Sequence, residues 1–457
     1  MKTGMERFEI LAKYSSIFVM VVLLALLVGW QLPFTSGITV AVALSLAFLM
    51  LLYWKQFELF IVIVLVANQE FFYLLPRDPI GEGSYQDFLY YVIPLTGVWY
   101  FLRNRESGSF NFNFFIWSFF IITLGGVLNS YAQGQPLILG LKAAKGYYLI
   151  AFYFVFMSRK IDLDKLMKYI VITGLALSVL NNYQYFMFGN TQIFYYDTEL
   201  MREGRLRFLI GDFFTIFSPL IAFGEFLRTN KKRYLAAALY MGATVILQGL
   251  TRSVITGLVA TIIIILLLTQ KIDLKKFIII GLLVIAGYLF VLPILERSVI
   301  GDLYNLTAYE IVEREGNVGL RMKTYEYYIE EYMISPLFGR GIWNDSFRHN
   351  NPEDMKMMGF HLSDIGSMSI LFHFGLVGVA WCVALVVVVF RRVFTSTLKI
   401  SNSVHPGLVS YFIFSLFTVT VLNGFLQRRT IIYLALTLAL LSQAITFGKK
   451  KEQHLIY

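Results

Sequence analysis

Apolar runs recur along this chain, separated by short polar connections. Each is about 17 to 25 residues long, enough to cross about 30 Å of hydrocarbon as a helix rising about 1.5 Å per residue. About fourteen stand out, at 14–30, 37–54, 57–75, 86–102, 113–131, 144–158, 166–188, 208–227, 234–250, 253–269, 277–295, 366–390, 406–425 and 430–447. The run at 144–158 is short, and its apolar character extends back towards Leu137. The pattern predicts an all-α polytopic membrane protein with one interruption, the long connection between Leu295 and Gly366. That connection exceeds a plain turn. Ala308 to Glu315 has helical character up to Gly316, and Leu320 to Ile334 has the pattern of an amphipathic helix up to Ser335-Pro336, where proline disfavours helix in the preceding residue. The expected organisation is transmembrane helices over 1–295, a helical extracytoplasmic cap over 296–365, and three further helices with a basic tail over 366–457.

Composition sharpens this. Hydrophobic residues make up 57% of the 457 positions and charged residues 15%, against about 25% charged in soluble domains, which argues against a water-soluble enzyme. A net charge of +10 would suggest nucleic acid in a soluble chain. Here it reflects orientation: Lys and Arg collect on alternate connections (Lys55, Arg103, Arg159, Lys231, Lys271, Arg391, Lys449), which puts both termini in the cytoplasm and excludes a nucleic-acid partner. Lys2, Arg7 and Lys13 before the first apolar run resemble a signal peptide without a small-residue cleavage site, so this run is expected to remain as the first span. The single cysteine, Cys382, excludes an intrachain disulfide and a multi-cysteine metal site.

The basic residues assigned to the outer face differ in kind. Their lysines are Lys142, Lys145, Lys323 and Lys356, and the rest are arginines. Lys serves orientation as well as Arg does, whereas Arg presents a rigid fork to phosphate. Arg202, Arg205 and Arg207, then Arg252, then Arg428 and Arg429 border apolar spans on the side that the orientation rule disfavours. Snorkelling, or pairing with Glu199, Glu203 or Asp212, would account for any one of them. Lys142 and Lys145, three apart, add two cations near a span end, with headgroup contact as the alternative role.

Of five histidines, His373, His405 and His454 have structural settings, whereas His349 and His361 lie on the outer connection. His361 is followed by Asp364, which could orient its ring, directly before a span. A zinc site would group His349, Asp354, His361 and Asp364, but no compact metal motif is present. A phosphate-cradling loop, a nucleophile elbow and a dinucleotide fingerprint are also missing from the sequence.

The ordered series Gly319-Leu-Arg321, Ser335-Pro-Leu-Phe-Gly339-Arg-Gly341, His361 and Phe374-Gly-Leu-Val-Gly378 resembles the O-antigen ligase and O-antigen polymerase superfamily of bacterial membrane glycosyltransferases, as do Arg205-Leu-Arg207 and Leu250-Thr-Arg252-Ser253 upstream. The resemblance spans roughly the second half of the chain. It implies a GT-C-like fold in the bacterial cytoplasmic membrane, an active site on its outer face, and an undecaprenyl-diphosphate-linked oligosaccharide as donor. It further implies metal-independent transfer with inversion and no cofactor, and it allows a chain-length regulator and a flippase as partners beside the membrane lipids. Carried over by position, His361 is the general base with Asp364 beside it, and Arg205, Arg207, Arg252 and Arg321, with Lys142 and Lys145, hold the diphosphate. Tyr325 and Tyr328 share nearly one face of the Arg321 helix and would stack on sugar, or pack in a core. Many ligases place His-Asn about a dozen residues before the Gly-Leu-x-Gly, where this chain has Asp364 and a histidine three residues earlier. That departure leaves His349 as the second candidate base and favours a polymerase over a ligase. A transporter of lipid-linked oligosaccharide is the alternative from another class, with Asp212 and Glu225 as the residues suited to ion coupling.

Overall fold

A computed structural model describes residues 48–74, 89–90, 112–187, 193–194, 201–202, 205–206, 210–249, 252–269, 316–344, 347, 365–395, 405–422, 426–427 and 429–453. The expected spans at 14–30, 86–102 and 277–295 lie wholly or almost wholly outside these residues. The described part is helical apart from one minimal hairpin. Three helices among the described residues are long and apolar enough to cross a membrane: Asn113–Ala132, Leu137–Met157 and Ser367–Arg392. Shorter apolar helices accompany them at Phe57–Ala67, Ser253–Leu268, Pro406–Val419 and Ile431–Ala444. This is a membrane protein.

In chain order the elements are α1 (Phe57–Ala67), α2 (Asn113–Ala132), α3 (Leu137–Ala144) continuing through a 3₁₀ stretch (Lys145–Ala151) into α4 (Phe152–Met157), and α5 (Leu163–Phe186). Strands β1 (Met201–Arg202) and β2 (Arg205–Leu206) follow, then α6 (Asp212–Thr229), α7 (Lys232–Gly249) and α8 (Arg252–Leu268). The last are α9 (Gly316–Met333), α10 (Ser367–Thr395), α11 (Pro406–Leu422) and α12 (Ile431–Gln453). Most boundaries fall within a few residues of the hydrophobic pattern. The expected run at 144–158 does begin at Leu137. Gly316, expected to stop a helix, instead opens α9, and the expected helix at 308–315 lies outside the described residues. The run 57–75 gives only an eleven-residue helix, because Glu70 to Tyr73 all have positive φ and form a left-handed turn.

Helices pack closely where small residues meet, as expected where lipid offers no hydrophobic drive between helices. A Cβ on Gly224 of α6 would overlap the backbone of Gly407 on α11, and one on Gly174 of α5 would overlap Ser218 of α6. Polar groups fasten the same layer: Asn182 of α5 donates to Tyr240 Oη at 2.9 Å and Thr244 Oγ1 at 3.0 Å on α7, and its own oxygen accepts from Gln248. On the other side, Trp381 of α10 donates to the carbonyl of Phe115 on α2 at 3.0 Å and stacks at 4.7 Å from Phe119. Arg392 lies 5.7 Å from the Phe112 ring, which levels the charged end of α10 with the start of α2.

At the basic end of the bundle, α5, α6 and α11 share one polar cluster. Glu225 is buried, accepts from His405 Nε2 at 3.0 Å, and meets Arg228 through both oxygens at 3.1 Å, while Arg228 also reaches Asp164. His405 Nδ1 accepts from the Gly407 amide at 3.1 Å, so the proton of the neutral ring is on Nε2, facing the carboxylate. Glu225→Ala would leave a buried imidazole without its acceptor and Arg228 with Asp164 as its remaining carboxylate, at a cost of about 2–3 kcal/mol. A fall of several degrees in the melting temperature of the purified protein in detergent is the expected outcome, and a change below about 1 °C would count against it.

Candidate active site

The turn after α9 enters a break in α10. At Gly375 the backbone has φ +62° and ψ −156°, a conformation essentially confined to glycine. In a continuous helix the amides of Leu376 and Val377 would donate to the carbonyls of Phe372 and His373. They donate instead to Pro336 at 2.9 Å and Leu337 at 3.2 Å, while the Phe372 carbonyl accepts from Arg340 at 2.6 Å. The break and the turn complete each other's hydrogen bonding. Gly339 (φ +70°) and Gly341 (φ +90°) allow the approach: a Cβ on Gly339 would lie 2.5 Å from the Phe372 carbonyl oxygen, and one on Gly341 2.5 Å from that of Gly126.

The far end of α2 and its connection secure the same turn through side-chain amides. Asn129 donates to the Gly339 carbonyl at 2.6 Å, Gln133 to Arg340 at 3.0 Å and Gln135 to Ile342 at 2.9 Å. The Gln135 oxygen accepts from the Asn344 amide at 2.7 Å, and the Ile342 amide donates to Gly126 at 3.1 Å. His373 Nδ1 lies 2.9 Å from the Gly341 carbonyl, which can only accept, so this nitrogen carries the proton and His373 pins the turn.

Helix α9 rests on the start of α10. Tyr328 is 6% exposed and meets Phe372 edge-on at 5.0 Å, within a cluster with Ile365 and Met368. Its ring is therefore core, whereas Tyr325, one turn earlier, is half-buried. Burial raises the pKa of Tyr325, against the opposing effects of a hydrogen bond with Ser367 and the nearby charge of Arg321. Arg321 is half-buried on the same helix. Arg340, within the turn, makes a 3.2 Å ion pair with Glu331 of α9, which joins the helix to the turn it feeds. Arg340 belongs to the Ser335–Gly341 motif, and no signal in the sequence marks its partner.

The segment that carries the hairpin arginines is held where α5 and α6 meet. The hairpin pairs Arg202 directly with Arg205. Five residues beyond Arg205, Asn181 of α5 takes both backbone groups of Ile210, accepting from its amide and donating to its carbonyl, each at 3.2 Å. Gln184 accepts from the amide of Ile193 at 2.6 Å. One helix end thus holds both sides of the segment that carries the arginines. Gly211 then turns left-handed (φ +68°) against Phe72, where a Cβ would lie 2.6 Å from the ring. The neighbouring Tyr73 accepts from Arg429 Nη2 at 2.6 Å, and the Arg429 carbonyl accepts from Asn68 at 2.7 Å. Arg429 and Asn181 are thus tied to the rings and backbone that flank Gly211. The first was visible as a misplaced charge, and the second carried no signal in the sequence.

The remaining expected residues are distributed as follows. Arg252 opens α8. Lys142 is exposed on α3, and Lys145 lies 5.7 Å from the Tyr90 ring. Arg207, His349, Asp354, His361 and Asp364 lie outside the described residues, as does the zinc grouping they would form.

Residues 236–383 match the family model described as O-antigen ligase. This segment runs from α7 through Arg252, the cap helix and the turn to the half of α10 beyond its break. Over this segment the chain is similar to the O-antigen ligase and polymerase superfamily. No curated protein matches the chain. The superfamily segment contains Arg252, Arg321, Arg340 and His361, whereas the hairpin arginines and both lysines of α3 and its continuation precede it.

Gly375→Ala tests whether the superfamily turn is held by the helix break. The forbidden backbone conformation costs about 1–3 kcal/mol before the overlap with the Leu337 carbonyl is counted. Tryptic cleavage after Arg340 should accelerate about tenfold or more in the purified protein, because cleavage follows the population of the opened turn. An unchanged rate would show that the turn does not depend on this break.

Proposed function

We infer that the chain polymerises surface polysaccharide, an O-antigen, capsule or exopolysaccharide, by transferring a glycan from an undecaprenyl diphosphate carrier to an acceptor sugar hydroxyl. The observation that carries this reading is the superfamily segment itself, in which an arginine-bearing cap helix leads into a turn seated in a broken span. Chemistry on a lipid diphosphate needs fixed cations close to the membrane, since charge develops on the leaving group where water is scarce. Arg252 and Arg321 supply that stabilisation, with Arg205 and Arg207 from the hairpin and Lys142 and Lys145 at the periphery. Arg429, tied to Tyr73 beside the hairpin's base, joins the set.

His361 is the general base. It takes the proton of the acceptor hydroxyl as that oxygen attacks the anomeric carbon, and the diphosphate leaves from the opposite face, so the configuration inverts. Asp364 orients the ring. Tyr325 on the Arg321 helix meets sugar, a role supported by its half-buried ring, whereas Tyr328 packs against Phe372. The reaction takes place at the outer face of the cytoplasmic membrane, with about fourteen spans and both termini inside.

A ligase that moves a finished chain to lipid A core is the second reading, favoured by the description of the matching family. The glycan ladder of a deletion strain separates the two: single repeat units point to a lost polymerase, and carrier-bound long chains to a lost ligase. The transporter reading loses one of its supports, because Glu225 is engaged by His405 and Arg228.

General-base catalysis contributes about 10² to 10⁴-fold, so His361→Ala should collapse the ladder to the deletion pattern at normal protein levels. Full-length polymer from that variant would refute the assignment. Arg252→Lys keeps the charge but loses the fork, and at least a tenfold loss of polymer is expected if it grips diphosphate. Wild-type output would instead assign it to orientation alone.

A further inference from the structure

The geometry points to Met333–Phe338 being a re-entrant element, with apolar side chains lying against the hydrocarbon chains of the leaflet farther from Arg391. This inference rests on depth, on the bonding of the backbone and on the character of the surface, and it is independent of the function proposed above.

Two helices measure the depth. Arg391 and Arg392 end the apolar part of α10, and Leu376 lies about 22 Å along the helix from Arg391 at about 1.5 Å per residue. The Leu376 amide is bonded to Pro336, so the turn lies at that level. Along α2, Gly126 lies about 21 Å from Phe112, the ring beside Arg392, and its carbonyl holds Ile342. Both measures place the turn about 8 Å inside a hydrocarbon core about 30 Å thick. Tilt of either helix would only deepen it.

At that depth irregular backbone must find its partners within the protein. The carbonyls of Pro336 and Leu337 accept from Leu376 and Val377, and those of Gly339, Arg340 and Ile342 accept from Asn129, Gln133 and Gln135. The Gly341 carbonyl faces His373. This is provision for backbone removed from water, and a solvated loop would not need it.

The side chains are the reverse of satisfied. Met333, Ile334, Leu337 and Phe338 are 60–65% exposed, and Leu376 and Val377 beside them are exposed too. This surface continues the exposed apolar face at Val383 and Val387 of α10, a helix long and apolar enough to cross a membrane. An apolar surface that is continuous with a lipid-facing helix and lies below the boundary has acyl chains as its occupant.

The test uses the full-length protein with Cys382→Ala, purified and reconstituted in phosphatidylethanolamine and phosphatidylglycerol liposomes. Leu337→Cys, Phe338→Cys and, as a water-facing reference, Lys323→Cys on the exposed side of α9 are spin-labelled in turn. At positions 337 and 338, collisions with oxygen should exceed those with a water-soluble nickel chelate several-fold, with the order reversed at 323. Nickel-dominated relaxation at 337 and 338 would overturn the inference. So would exclusion of both reagents, which would mean that protein rather than lipid covers the turn.

Discussion

A broken helix needs partners for the backbone groups it frees, and in this protein a turn from elsewhere in the chain provides them. The interruption of α10 at Gly375 frees two amides and exposes a carbonyl, and Pro336 to Arg340 satisfies all three. Neither half is sound alone in a medium without water, where unpaired groups cost several kcal/mol each. The pairing therefore fixes where α9 ends and how the helix that carries Arg321 and Tyr325 joins α10. Glycines at 339, 341 and 375 are the condition for it, since each lies where a Cβ would strike backbone.

Much of this order was legible in the chain itself. Helices follow from the hydrophobic pattern, and most described helices from α2 to α12 lie within a few residues of the expected runs, although three among them are long and apolar enough to cross a membrane. The turn was legible as a motif, but its docking was not, because a hydrogen bond between Leu376 and Pro336 leaves no trace in either residue's type. Helix α1 shows the other kind of loss. Phe71, Phe72 and Tyr73 continue the apolar pattern, yet their positive φ angles end the helix, since contacts with α6 outweigh a local preference that costs about 1–2 kcal/mol per residue.

The candidate site was legible to a lesser degree. Unusual charge points to Arg205, Arg252 and Arg429, because arginine beside an apolar span needs a reason, whereas Arg321 is marked by the motif series alone. Asn181 gave no such warning, as a polar amide in a span has many uses, and only the geometry shows it standing in for a backbone partner of Ile210. Tyr328 illustrates the converse ambiguity: an aromatic on an amphipathic helix suits either sugar or core, and its contact with Phe372 settles its packing. His373, expected to be structural, has a definite structural task in holding the Gly341 carbonyl.

Asn129, Gln133 and Gln135 hold the turn by its main chain alone. Position is thus read from the main chain, which is the same whatever residue occupies 337 or 338. Leu337 and Phe338 are left free of any duty in placing the turn. Their identity can be exchanged to suit a different membrane or a bulkier substrate while the turn stays where it is, so the element separates where it sits from what it touches.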